Sequence, residues 1–502
     1  MPRPTPEIGQ IPYALYRAAQ VRALDRAAID GHGIPGATLM ERAGAAAYRL
    51  LKERWPNARH ITVLCGTGNN GGDGYVIARL ARQERLDVSL LQLGDPARLA
   101  GDALTMATAY RVGGGEVASF KGIPRCTDVL VDAILGTGLE REVSGSWAEA
   151  IKHINASPAP ILAVDIPSGL HSDTGRVMGV AVRANATMSF IGLKQGMFTG
   201  SGPACCGEIR FDALQVPAAV YGTEILASRR IDWRRMQGLL GPRQRDAHKG
   251  DFGHVLIVGG APGFSGAARL AGEAALRAGA GLVSIATDSA HAALLNLGRP
   301  ELMCHGLGEP AGLEPLIQRA SVIAVGPGLG RTSWSRALFA HCLSAHKPVV
   351  VDADALNLLA ASPQQQDHWI LTPHPGEASR LLGISTAEIG ADRFDAARRL
   401  QLGFGGVTVL KGAGSIVVGP THRPAAVCSD GNPGMAGGGT GDALTGIIAA
   451  LLAQGLDPQD AAEAGVCLHA AAGDRAAAGG ERGLLASDLI GGLRALVNAG
   501  VE

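Results

Sequence analysis

The run Ile61-Thr-Val-Leu-Cys65-Gly66-Thr-Gly68-Asn-Asn-Gly71-Gly-Asp73 passes from β-branched and apolar residues through a glycine-rich segment into the helical pattern of Tyr75 to Gln83. A short apolar strand, a small polar loop and a helix in that order form the repeating unit of an α/β fold. The unit recurs downstream, where Val129 to Val131 precedes Asp132 and Ile161 to Val164 precedes Asp165. Strands alternating with helices pair in parallel and are covered on both faces, so ligands are expected beyond the carboxyl ends of the strands, where these loops lie.

The pattern then starts afresh. Val255 to Val258 leads into Gly259-Gly260, a helical stretch over Ala267 to Ala278 and a strand over Leu282 to Ala286. Further strands are expected at Val322 to Val325, Val349 to Val351, Trp369 to Leu371 and Val407 to Leu410. Between the halves lie Ser228-Arg-Arg-Ile-Asp-Trp-Arg-Arg235 and Pro242-Arg-Gln-Arg245, read as a solvated arginine-rich face without strand alternation. The boundary is placed near residues 222 to 230, giving α/β domains over 1–225 and 226–502. A chain of 502 residues is long enough for two cores of that size.

Lys plus Arg equals Asp plus Glu at 45 each, so no net field draws the chain to nucleic acid or an anionic membrane, and small-molecule partners are expected. Eight cysteines show no C-x-x-C spacing, and Cys205 and Cys206 are adjacent, which suits a reducing cytoplasm better than a disulfide framework. The opening Met1-Pro-Arg-Pro-Thr-Pro-Glu7 lacks a leader's apolar region, and no stretch reaches the length of a membrane span. A cytoplasmic homo-oligomer is expected.

Gly66 to Gly71 formally satisfies G-x-G-x-x-G, yet Asn69-Asn70-Gly71-Gly72-Asp73 puts two amides and a carboxylate where a bare pyrophosphate would be repelled. Such a tip suits a hydroxyl-bearing ligand or a hard cation. Asp132 and the pair Asp165 and Ser168 end the next strands, so three oxygen-bearing loops converge on one edge. The set Gly-Asn-Asn-Gly-Gly-Asp-Gly, Val-Asp-Ala-x-x-Gly-Thr-Gly-Leu and Asp-x-Pro-Ser-Gly resembles the epimerase domain that interconverts the R and S hydrates of NADH and NADPH, over about Tyr16 to Gly222. That resemblance implies a Rossmann-like three-layer sandwich, with potassium bound by Asn70, Asp132 and Ser168. It implies hydrate bound by Asn69, Asn70, Gly71, Gly72 and Asp73, by Gly136, Thr137, Gly138, Leu139, Glu140, Arg141 and Glu142, and by Asp165. Epimerisation needs reversible proton movement, for which Asp165 is the candidate acid/base. Lys194 is either a charge beside the ligand or an exposed surface cation.

In the second half, Asn432-Pro-Gly-Met-Ala-Gly-Gly-Gly-Thr-Gly-Asp442 is a glycine-dense loop that ends in a carboxylate and runs into the apolar stretch Ile447 to Leu456. Backbone N–H groups at a helix start favour an anion, so the segment reads as a phosphate cradle with Asp442 placed to take a proton from a substrate hydroxyl. It is preceded, in order, by His248 to Gly253, Gly326-Pro-Gly328-Leu-Gly330, Val351 to Asn357, Thr372-Pro-His374-Pro-Gly-Glu377 and Leu410-Lys411-Gly412. Together they resemble the ADP- or ATP-dependent NAD(P)H-hydrate dehydratases, which are ribokinase-like, from about Ile231 onward. The resemblance implies hydrate contacts at Ala267, Gly328, His374 and Asp442. It implies adenine nucleotide (ADP or ATP) on Lys411, Gly412, Ala413, Gly414, Ser415 and Gly441, with magnesium bridging its phosphates. The expected activity is that of an isomerase feeding a lyase that repairs NADHX and NADPHX. The alternative is a ribokinase-like small-molecule kinase carrying a nucleotide-binding module, and a non-catalytic scaffold is disfavoured by the retained polar residues.

Overall fold

The computed structural model describes residues 11–420 and 423–498. The opening segment read for a leader lies outside the described residues. The chain divides into two compact units, one ending at Arg229 and the other beginning at Arg230.

The first unit is built on seven parallel strands: β1 His60–Cys65, β2 Asp87–Gln92, β3 Val117–Ser119, β4 Val129–Ala133, β5 Ile161–Val164, β6 Ala186–Phe190 and β7 Glu208–Asp212. Their order across the sheet is β3-β2-β1-β4-β5-β6-β7, so the direction of winding reverses between β1 and β4, where a doubly wound sheet opens its ligand crevice. The period of two along each strand divides the core. Ile61, Val63, Cys65, Val129 and Val131 pack on one face with α1 Gly36–Arg54, α2 Asn69–Gln83 and α3 Gly101–Val112. Leu64, Leu130, Ile161 and Ala163 face α4 Gly145–Ala156 on the other.

The structure corrects one local expectation here. Asn69 to Asp73 is the first turn and more of α2, six residues upstream of the expected helical stretch, and not a loop tip. Gly71 explains why glycine is used inside a helix: a Cβ there would stand 2.1 Å from the Gly66 carbonyl oxygen, so only a bare backbone lets α2 lie against the end of β1.

The second unit repeats the plan. Its strands are β8 His254–Val258, β9 Leu282–Asp288, β10 Met303–Leu307, β11 Val322–Val325, β12 Val349–Val351, β13 Trp369–Leu371 and β14 Val407–Leu410, followed by β15 Ile416–Val418 and β16 Ala425–Cys428. They run in the order β10-β9-β8-β11-β12-β13-β14-β15-β16; all are parallel up to β14, and the last two pair antiparallel. The helices that bear on the site are α5 Ser265–Ala278, α6 Pro375–Leu382, α7 Arg393–Phe404 and α8 Thr440–Ala453. Helix α8 is apolar nearly all round, with Ala443 to Leu452 buried, as a core helix must be.

The arginine-rich connection is not uniformly solvated. Ser228–Ile231 is a strand, and Arg230 is fully buried, its guanidinium donating to Asp232 at 2.7 Å and Ser429 at 3.0 Å, while Arg234 and Arg235 are exposed. A buried guanidinium is tolerated because it is paired and hydrogen-bonded.

Candidate functional sites

In the first unit, the ends of β1, β4 and β5 bring Asn70, Asp132, Ser168, Asp73 and Asp165 to one edge. Asp132 is wholly buried and accepts from the Ser168 N–H at 2.8 Å, the Ser168 hydroxyl at 2.5 Å and the Ile134 N–H at 3.3 Å. Burial nonetheless pushes its carboxyl up to about 6, with the Ser168 bonds opposing. The Leu135 carbonyl accepts from the Asn70 amide at 3.0 Å and the Ser168 hydroxyl at 3.2 Å, which ties all three residues together. Asn70 Oδ1 is buried with no hydrogen-bond partner. An orphaned amide oxygen beside a buried carboxylate, a hydroxyl and a backbone carbonyl is an oxygen donor set with one full charge, which fits a hard monovalent cation. Gly136 lies against Asn70, Leu139 packs on the apolar cluster below, and Glu142 is tied to Arg176 at 2.8 Å. Glu140 and Arg141 are exposed.

Asp165 sits at φ +66°, a left-handed conformation that costs a non-glycine residue energy and is held here by its surroundings. Its N–H donates to Met188 O at 2.7 Å, and its carboxylate accepts from the Phe190 N–H at 3.3 Å and from the Lys194 ammonium. Lys194 is fully buried and donates also to Ser189 Oγ at 3.0 Å and Phe190 O at 3.3 Å, so it is not a surface cation. The short segment Leu193–Lys194 pairs with Ala14–Tyr16, which pairs on its other edge with Ser228 and Arg229. Asp73 is held well above the ordinary carboxylate value by burial, with Asp165 and Asp25 adding and Lys194 opposing. Asp25 is itself raised to about 6 by burial and by Asp165. Neither Asp25 nor the burial of Lys194 carries a sequence signal.

In the second unit, Asp442 falls in the first turn of α8, whose N-cap is Gly439 at φ +87° with no side-chain cap. The leading N–H groups of a long helix are thereby left to meet an anion. Burial lifts Asp442 to about 7, with Asp352 and Asp354 adding and Lys411 opposing. A carboxylate near neutrality beside an anion cradle is suited to general-base work at physiological pH.

Lys411 is the hub of this edge. It donates to Asp352 at 2.6 Å, stands 3.9 Å from Glu377, and would lie 3.4 Å from a Cβ at Gly441. Burial works against its charge, yet Asp352, Glu377 and Asp442 hold it above the ordinary lysine value. Burial alone would raise Asp352, but Lys411 and the hydroxyls of Thr445 and Thr372 keep it low; the Thr445 bond is 2.7 Å. Glu377 is left to rise to about 7 through burial and the Asp352 charge. One ammonium thus serves three carboxylates, and the two it serves least titrate near neutrality.

His374 takes a specific local role. Its Nδ1 accepts from the Gly376 N–H at 2.9 Å, capping α6, while Glu377 accepts from the His374 N–H at 2.8 Å. Burial, with Lys411 and Arg380, lowers the ring below its usual value, so it is a neutral imidazole with Nδ1 as acceptor. Ala267 and Gly328 are neighbours, 3.2 Å separating the Ala267 Cβ from a Cβ placed on Gly328. The 411–415 turn wraps Arg393, a buried residue on α7 that donates to the carbonyls of Leu410, Lys411 and Gly414 at 3.2, 3.2 and 3.4 Å. Gly412 N–H donates to Ser415 Oγ at 3.3 Å, closing the turn. Asp352, Glu377 and Arg393 were not singled out as functional from the sequence; only the motifs that carry the first two were.

Both units are similar to known proteins. The model described as NAD(P)H-hydrate dehydratase matches residues 255–494, and that described as YjeF-related protein N-terminus matches residues 36–196. A solved ribokinase-like superfamily protein of Enterococcus faecalis is 28% identical, covering 55% of this chain and 96% of its own, with a TM-score of 0.51. The second unit is therefore a ribokinase-like α/β domain, joined to an α/β domain of the YjeF-related type. The bifunctional NAD(P)H-hydrate repair enzyme of Coxiella burnetii is 48% identical over 96% of this chain and 99% of its own length. That of Escherichia coli is 45% identical over 97% and 95%. The chain belongs to the family of bifunctional NAD(P)H-hydrate repair enzymes.

Proposed function

We propose that the first unit epimerises the R and S hydrates of NADH and NADPH and that the second dehydrates the S hydrate at the expense of ADP or ATP. The observation that carries this reading is Asp442, raised to about 7, in the uncapped first turn of α8 beside Lys411. Hydroxide is a poor leaving group and phosphate a good one. Asp442 takes the proton of the ring hydroxyl as its oxygen attacks the nucleotide's terminal phosphorus, whose bond to the bridging oxygen breaks so that AMP leaves from ADP, or ADP from ATP. The C–O bond then breaks as the ring nitrogen's lone pair moves in and phosphate departs, and loss of a proton from the adjacent carbon restores NAD(P)H. The α8 N–H groups and Lys411 hold the transferring charge, and Arg393 keeps the turn of Lys411, Gly412, Ala413, Gly414 and Ser415 in shape, with Gly441 alongside. Ala267, Gly328 and His374 hold the hydrate. Magnesium, held mainly by phosphate oxygens, would supply further charge neutralisation.

In the first unit, Asp165 is the acid/base and the buried Lys194 ammonium, donating to its carboxylate, orients it. Asn69 to Asp73 and Gly136 to Glu142 border the hydrate. Asn70, Asp132 and Ser168 would hold potassium, which would neutralise the buried carboxylate; the orphaned Asn70 oxygen supports this. The chain is proposed to act as a cytoplasmic homo-oligomer; all eight cysteines are free thiols, and no helix among the described residues is long and apolar enough to cross a membrane. The test is to give purified protein an R/S hydrate mixture with ADP, then ATP, and follow NADH absorbance. Complete recovery of both epimers is expected; accumulation of a stable phosphorylated product would instead mark a kinase.

A further inference from the structure

Phe264 is 62% exposed, and among the described residues it is the one exposed Phe, Tyr or Trp. The backbone beneath it is firmly held. Its N–H donates to Ala261 O at 2.8 Å and its carbonyl accepts from Ala267 N–H at 3.3 Å. The neighbouring loop is bonded in turn through Gly260 N–H to Pro327 O at 3.0 Å and Ala261 N–H to Gly328 O at 2.6 Å. A Cβ on Gly328, which sits at φ +57°, would stand 2.6 Å from Phe264 O and 2.8 Å from its Cβ. No side chain therefore separates the aromatic residue from Ala267 and Gly328, the positions proposed to touch the hydrate.

Six residues further along α5, Leu270 lies 2.6 Å from where a Cβ of Gly439 would be, so the α8 cradle adjoins α5 about 9 Å along its axis from Phe264. Phe264 thus stands back from the α8 cradle, where the transferring phosphate is proposed to lie, and is exposed to water. The hydrated ring is partly saturated and stacks poorly, whereas the substrate's adenine is a flat aromatic plane. A rigid backbone presenting an open π face is what base stacking uses.

We propose that Phe264 is the stacking platform for the adenine base of the NAD(P)H hydrate and so selects dinucleotide over mononucleotide substrates. This rests on the dehydratase reading above. The test compares Phe264→Ala and Phe264→Trp with the parent full-length chain on two substrates, the S hydrate of NADH and the hydrate of reduced nicotinamide mononucleotide, which has no adenine. The Ala variant should raise KM for the NADH hydrate about tenfold, the size of one base–aromatic stack, with kcat retained, and Trp should restore it. KM for the mononucleotide hydrate, KM for ADP or ATP, and epimerisation should stay at parent values. Equilibrium titration of NADH, read by its own fluorescence, should weaken for the Ala variant by a similar factor. That binding difference would persist if the parent proved unable to dehydrate any hydrate, an outcome that would sink the functional reading and not the stack. Equal KM increases for both hydrates, an increase confined to ADP or ATP, unchanged KM throughout, or a changed oligomeric mass at unchanged KM would each overturn the proposal.

Discussion

Replacing Asp442 with Asn keeps the size of the side chain at the head of α8 and removes its capacity to take a proton. In the parent the carboxyl is lifted to about 7, first by burial and then by Asp352 and Asp354. At pH 6 about one free enzyme molecule in ten carries the base, so the parent's kcat/KM for dehydration should rise about tenfold between pH 6 and a plateau near pH 8. The Asn variant should lose about 10²- to 10⁴-fold in rate, roughly 2.7 to 5.5 kcal/mol of barrier, and its residual rate should lose that slope. The assay is NADH absorbance from S hydrate with nucleotide, at fixed ionic strength, with epimerisation measured alongside and expected unchanged. Glu377 also titrates near 7, so Glu377→Gln serves as control and should keep the slope. A stability readout follows from the same shift. The native Asp442 carboxyl keeps its proton to about pH 7 while an unfolded one releases it near 4, so in that window the native state binds more protons and loses stability as pH rises. The Asn variant escapes this loss, and its melting temperature should gain on the parent's more at pH 8 than at pH 4. An Asn variant within about tenfold of the parent, or one that retains the pH slope, would refute the base assignment.

Lys194→Ala leaves Asp165 without its buried partner and should cost about 3 to 5 kcal/mol in denaturant unfolding of the first unit and abolish epimerisation. Asn70→Ala removes the orphaned oxygen and should raise the potassium concentration for half-maximal epimerisation about tenfold, leaving dehydration alone; equal epimerisation in sodium and potassium buffers would remove the cation. Arg393→Met strips the donor from the carbonyls of Leu410, Lys411 and Gly414 and should destabilise the second unit by about 1 to 3 kcal/mol while raising KM for nucleotide, checked by melts and initial rates. Chains cut between Arg229 and Arg230 should fold separately and divide the two activities between them; a folded fragment inactive until the other is added would contradict independent sites.

The sheet was legible because parallel strands buried on both faces are continuous apolar runs. Ile161–Val164, Val322–Val325, Val349–Val351, Trp369–Leu371 and Val407–Leu410 begin and end as their composition indicates. The polar residues that follow those runs were equally plain, since a strand's end fixes where its next side chain emerges. The start of α2 was not legible. Four glycines within Gly66 to Gly72 argue locally for a loop, and only contact between Gly71 and the Gly66 carbonyl shows why they are needed in a helix.

What the sequence alone determined is the kind of chain this is: two α/β units, each with its oxygen-rich loops on the carboxyl edge of a sheet. What the tertiary structure decided is which groups share an environment. Lys194 meets Asp165 across 29 residues and Lys411 meets Asp352 across 59, and Asp25 joins the first cluster from a helix upstream of it. Burial and neighbouring charge, not residue type, lift Asp442 and Glu377 to near neutrality. Spacing along a chain carries no information about desolvation or charge separation in space, and these depend on distances that exist only once the strands have been brought side by side.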